Sequence, residues 1–144
     1  MRNDRGQDLK DRTRTFALEI VRLVQALPKN RAAWTIGDQL IRCGTSVGAN
    51  YRASCRARSP REFIAKLGIV EEESDESIFW LDLLHDSGLV EHGRVTSLRR
   101  EANELLSIVI ASIRTARRAR PPIPHSAFRT PHSSSIPHSS VPRS

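Results

Sequence analysis

Apolar residues recur at three- and four-residue intervals through four stretches of this chain, and no stretch alternates as a strand requires. Phe16, Ile20, Leu23, Val24 and Leu27 mark one face of a first helix over residues 12–27. Pro28-Lys29-Asn30 ends it, because proline lacks a backbone donor and disfavours helix in the residue before it. Ile36, Leu40, Cys43 and Val47 mark a second helix that opens at Trp34, with Thr35 as its N-cap. The same line runs on through Asn50 and Ser54. Ser59-Pro60-Arg61-Glu62 is the sharpest local signal: a serine cap, proline at the first helical position and glutamate at the third. The third helix carries Phe63, Leu67, Val70, Ser74, Ser77, Ile78, Leu81 and Leu84 on its inner stripe, and Gly88 stops it. In a fourth helix over residues 95–118, Leu98, Ala102, Leu105, Val109, Ser112, Ile113 and Ala116 keep the period. Four amphipathic helices with short loops predict an all-α fold, an antiparallel up-down-up-down four-helix bundle over residues 12–120.

Both ends depart from this pattern. Residues 1–11 are charged throughout and read as a flexible lead-in. Residues 121–144 repeat Pro-His-Ser among further serines and prolines, a composition too polar to offset its ordering entropy, and read as a disordered tail. Its histidines, His125, His132 and His138, have no cysteine or carboxylate nearby, so no specific metal site is expected there.

The second helix has another stripe, Gly37, Gly44 and Gly48. Each glycine costs about 1 kcal/mol of helix propensity relative to alanine. Close approach of another helix, inside the bundle or across a subunit interface, is the expected return. Gly44 and Gly48 are the candidates for that packing, and Asn50 is the candidate for satisfying buried polar groups.

Composition shifts the picture toward an anionic partner. The 144 residues suit one domain, and the net charge is +7 with a pI near 10.6. Arginine supplies nearly all of the positive charge, and its planar fork suits phosphate oxygens. Nucleic acid is therefore favoured over a membrane surface, the bland alternative being a genome that writes arginine in place of lysine. No apolar run exceeds four residues, as in Ile108-Val109-Ile110-Ala111, which is too short to span a bilayer. Cys43 and Cys55 would lie about 18 Å apart on one helix, too far to bridge. With no export signal at the start, this predicts a reducing, cytoplasmic setting.

Candidate chemistry is sparse. A di-metal bundle site wants two carboxylate-x-x-His motifs plus further glutamates, and only Asp82-x-x-His85 with Glu101 and Glu104 is present. Arg120 and His125 match the spacing of some helical-bundle ribonucleases but sit in a proline run. Cys55 lies among arginines without a base nearby. No catalytic residue, metal or cofactor is expected, and the chain reads as a non-enzyme. The arginines say more: Arg52, Arg56, Arg58 and Arg61 cluster between helices two and three, and Arg114, Arg117, Arg118 and Arg120 crowd the end of helix four. Helices two and four run parallel in the predicted topology, so both clusters fall at one pole. One or two cations would suffice to offset a helix dipole; two clusters predict a pole that contacts RNA or DNA phosphates. A scaffold for protein partners, with charge serving interfaces only, is the alternative.

The run Gly37-Asp38-Gln39-Leu40-Ile41-Arg42, then Thr45-Ser46-Val47-Gly48-Ala49-Asn50-Tyr51-Arg52, resembles the core motif of proteins encoded in intervening sequences of bacterial 23S ribosomal RNA genes. Arg61-Glu62-Phe63-Ile64-Ala65-Lys66-Leu67 and Trp80-Leu81-Asp82-Leu83-Leu84 continue the resemblance, which covers residues 16–116. The chain is also similar to the accessory variability determinant proteins of diversity-generating retroelements. The resemblance implies a homo-oligomeric bundle, typically a homopentamer, without known catalysis. For the retroelement members it implies a basic surface that binds nucleic acid and a partner reverse transcriptase. Members commonly carry an acidic residue shortly after the matched Asn50, where this chain has Ala53-Ser54.

Overall fold

The computed structural model describes residues 4–119. Four helices follow one another: α1 (Asp4–Gln25), α2 (Arg31–Cys55), α3 (Pro60–Ser87) and α4 (His92–Ala119). Each packs against its neighbours in sequence, and α1 meets α4 along the loosest seam, so the four close a ring. No strand occurs among the described residues. The predicted bundle is the fold.

The core follows the predicted stripes. Phe16, Ile20 and Leu23 of α1, Leu40 and Val47 of α2, Leu67, Val70, Leu81 and Leu84 of α3, and Leu105 and Val109 of α4 are fully buried. Each such side chain stabilises the fold by about 1.5–3 kcal/mol relative to exposure, which is where the bundle gets its cohesion.

Boundaries follow local chemistry. Ser59 accepts a hydrogen bond from the Glu62 amide at 3.0 Å, Pro60 opens α3, and Gly88 ends it at φ 71°, a left-handed conformation that favours glycine. The Glu62 carboxylate accepts from the Arg58 amide at 3.0 Å, tightening the turn from the other side. Three starts differ from expectation. α2 begins at Arg31 because the Asn30 side chain caps it, accepting from the Ala33 amide at 2.9 Å, and Thr35 is already inside the helix with its hydroxyl donating to the Arg31 carbonyl. α4 begins at His92 rather than Val95.

The largest correction concerns α1, which starts at Asp4 and takes in most of the charged lead-in expected to be flexible. Leu9 packs on the core and Thr13 is buried, so the line Leu9, Thr13, Phe16, Ile20 and Leu23 is continuous with one polar member. Tyr51 explains why the extra turns hold. It is buried near the end of α2, and its hydroxyl donates to the Gly6 carbonyl at 3.4 Å. The inner line of α2 thus passes through Tyr51 and Ser54, whereas Asn50 is only half-buried. Residues 121–144, expected to be a disordered tail, lie outside the described residues.

Candidate nucleic-acid interface

The starts of α1 and α3 and the ends of α2 and α4 meet at one pole. Leu9, Phe63, Ser112 and Ala119 line one cavity there, and Tyr51, Ser54 and Cys55 join Leu9 and Phe63 in its neighbour. Helix direction therefore brings the arginine clusters of α2 and α4 to the same end. Arg52, Arg56, Arg58, Arg61, Arg114, Arg117 and Arg118 are all exposed. Arg56 caps α2, its amide donating to the Ala53 carbonyl at 3.1 Å. Arg52 and Arg56 stand one turn apart, as do Arg114 and Arg118, so each cluster shares a helix face.

Ion pairs separate arginines that build the bundle from arginines that do not. Arg12 of α1 reaches across to α4, 2.9 Å from Glu101 and 3.4 Å from Glu104. Arg42 of α2 pairs with Glu73 and Glu76 of α3, and Arg99 of α4 pairs with Asp82 of α3. Of the predicted phosphate contacts only Arg58 has a carboxylate, Glu62, at 4.0 Å and across an exposed turn. The remaining six, Arg52, Arg56, Arg61, Arg114, Arg117 and Arg118, form no ion pair among the described residues.

The helix-packing candidates sit elsewhere. Gly44 is buried against Ile20, where an added Cβ would stand 2.9 Å from two of its carbons. Gly48 faces the Thr13 carbonyl oxygen, 3.1 Å from the position of a Cβ. Both glycines are occupied by α1 of the same chain. Asn50 donates to the carbonyl and hydroxyl of Ser46, at 3.0 and 2.8 Å, and so serves its own helix turn rather than another helix.

The carboxylates considered for a di-metal site are engaged with arginine: Asp82 with Arg99, and Glu101 and Glu104 with Arg12. His85 lies 3.1 Å from Asp86 and stacks edge-on with His92. Among the described residues no cluster of His, Cys, Asp or Glu is arranged to hold a metal ion. Cys43 is buried beside the Ser77 hydroxyl at 3.3 Å, and burial pushes its thiol up from the ordinary value. Cys55 is exposed. No described helix is long and apolar enough to cross a membrane.

Two features escaped the sequence. Lys10 and Arg14 of α1 line an open trench with Arg52 of α2; their spacing with Gln7 is a helical one, hidden by the reading of residues 1–11 as a lead-in. On α3, Phe79 and Leu83 stay exposed one turn apart, and Phe79 meets Trp80 edge-on at 5.0 Å. Trp34 is exposed at the start of α2. Their pattern was visible, but a periodicity centred on the core stripe does not report what lies outside it.

A four-helix bundle with paired arginines at its seams and unpaired ones at a pole defines a structural class rather than an activity. The family model described as 23S rRNA-intervening sequence protein matches residues 6–111, and the chain belongs to that family. The match begins at Gly6, within the first turns of α1. A solved structure from Bacteroides thetaiotaomicron VPI-5482, described as a protein with unknown function from the S23 ribosomal protein family, is similar at 32% identity. The superposition has a TM-score of 0.69 and covers 73% of this chain and 97% of that one. Among curated proteins none matches.

Proposed function

We propose that the protein is a non-enzymatic, cytoplasmic, self-associating bundle that binds RNA or DNA through its arginine pole. The observation carrying this reading is the contrast between Arg12, Arg42 and Arg99, each held by a carboxylate across a helix seam, and the unpaired Arg52, Arg56, Arg61, Arg114, Arg117 and Arg118. Helix dipoles call for a cation or two in the last turn of α2 and α4. They do not call for two clusters on one pole. Few aromatics are free at that pole to stack on bases, so binding would rest on backbone charge, with strong salt dependence and little sequence preference.

Self-association is supported by the exposed Phe79, Leu83 and Trp34, apolar surface that a second copy would cover. A homopentamer, and service as an accessory subunit to the reverse transcriptase of a diversity-generating retroelement, extend this reading by family resemblance. The same apolar residues favour the second reading, a scaffold that assembles protein partners without touching nucleic acid. Charge removal discriminates them. Arg114→Gln, Arg117→Gln and Arg118→Gln together should weaken nucleic-acid binding while leaving helix content and oligomeric state unchanged. Unaltered binding by that folded variant would remove the pole assignment.

A further inference from the structure

The seam between α1 and α2 differs from the other three. An arginine–carboxylate pair bridges α1 to α4, α2 to α3 and α3 to α4, whereas no ion pair among the described residues joins α1 to α2. That seam instead holds an open trench of about 340 Å³. Small residues line part of it: Ala17, Thr45, Gly48 and Ala49. Its walls carry Lys10, Arg14 and Arg52 against one carboxylate, Asp11, which already accepts a hydrogen bond from Gln7 Nε2 at 3.1 Å.

Neither packing nor the helix dipole accounts for these cations. Lys10 and Arg14 lie in the first half of α1, beyond its first turn, where the dipole gives a cation no advantage. Like charges gathered on one groove repel, and the nearest arginine on the same helix, Arg12, shows that partners are available where the fold uses them. The small lining residues leave the trench open, and Gly48 lets α1 approach close enough to form its far wall. Long cationic side chains around such a trench match a phosphodiester, with its charge outermost and no need of base contact.

We infer that the α1–α2 trench is a phosphate-binding track for a nucleic-acid strand, continuous with the pole through Arg52. The inference rests on the nucleic-acid reading above and extends it from the end of the bundle to its flank. Arg52 stands one turn, about 6 Å along the axis, from Arg56 of the pole cluster. A strand leaving the pole would meet Arg52 and Lys10 first, then Arg14, because α1 starts at the pole and runs antiparallel to α2.

The test uses the full chain and a fluorescein-labelled single-stranded oligoribonucleotide, titrated across a salt series. Lys10→Gln with Arg14→Gln should weaken binding and lower the slope of log affinity against log salt by about 1.4, two phosphates at about 0.7 each. Arg94→Gln with Arg100→Gln removes the same charge from exposed α4 positions and should leave the slope as in the parent. Lys10→Arg with Arg14→Lys should retain it, and guards against a fold defect in the glutamine variant. A parental slope in the Lys10/Arg14 variant, or an equal fall in the Arg94/Arg100 control, overturns the trench. If the pole variant alone weakens binding, the pole reading stands and the trench falls; if the parent fails to bind at low salt, both fall.

Discussion

Gly48 lies against the backbone of α1, so that a Cβ placed on it would stand 3.1 Å from the carbonyl oxygen of Thr13. That contact sets the distance between α1 and α2, and it accounts for a glycine stripe that costs helix propensity. Gly44 makes the tighter approach, with Ile20 carbons at 2.9 Å from a would-be Cβ.

Alanine at these positions separates propensity from packing. Gly44→Ala should destabilise the fold by about 1–3 kcal/mol, the usual range for overpacking, because Ile20 is itself fully buried and has little room to yield. Gly68→Ala meets nothing within 4 Å among the described residues and should stabilise by up to about 1 kcal/mol. Denaturant midpoints at one fixed protein concentration, which removes the mass-action effect of self-association, check both signs.

Ser74 and Ser77 share the inner stripe of α3 but differ in their bonding. The Ser77 hydroxyl donates to the Glu73 carbonyl at 2.7 Å, whereas the buried Ser74 hydroxyl has no partner among the described residues. Ser74→Ala should therefore be neutral or stabilising, and Ser77→Ala should cost about 1 kcal/mol. Equal losses in the two variants, read by thermal unfolding, would contradict the assignment.

Cys43 gives a pH dependence. Burial raises its pKa in the folded state, so the folded thiol stays protonated where the unfolded one has begun to ionise. Its contribution is complete below the unfolded value, 9.0, and is lost as pH rises from there toward the folded value. Tyr51, also raised by burial, adds the same sign of dependence starting from 10.0. Between these two onsets the fall in stability should shrink in Cys43→Ala. Thiol labelling of the native protein should be fast at Cys55 and slow at Cys43, becoming equal on unfolding.

The sequence made the core legible because Phe16, Leu40, Leu81 and Leu105 stand on unbroken helical stripes. It hid the first turns of α1 because Thr13 interrupts the apolar line, and because the bond from Tyr51 to Gly6 joins residues 45 apart. The pole was legible from helix direction alone. The trench was not, since Lys10, Arg14 and Arg52 come together only when α1 starts early and Gly48 draws it close to α2. Which arginines are paired was equally invisible, because Arg12 and Arg52 look alike until Glu101 and Glu104 are placed.

Binding of the full chain to mixed RNA and DNA oligonucleotides at increasing salt puts the arginine pole itself to the test. Micromolar or tighter binding at low salt that weakens steeply is expected, with a slope reporting the number of phosphates contacted. Absence of binding at low salt would contradict the pole assignment, leaving the arginines to serve helix ends and interfaces of a protein scaffold.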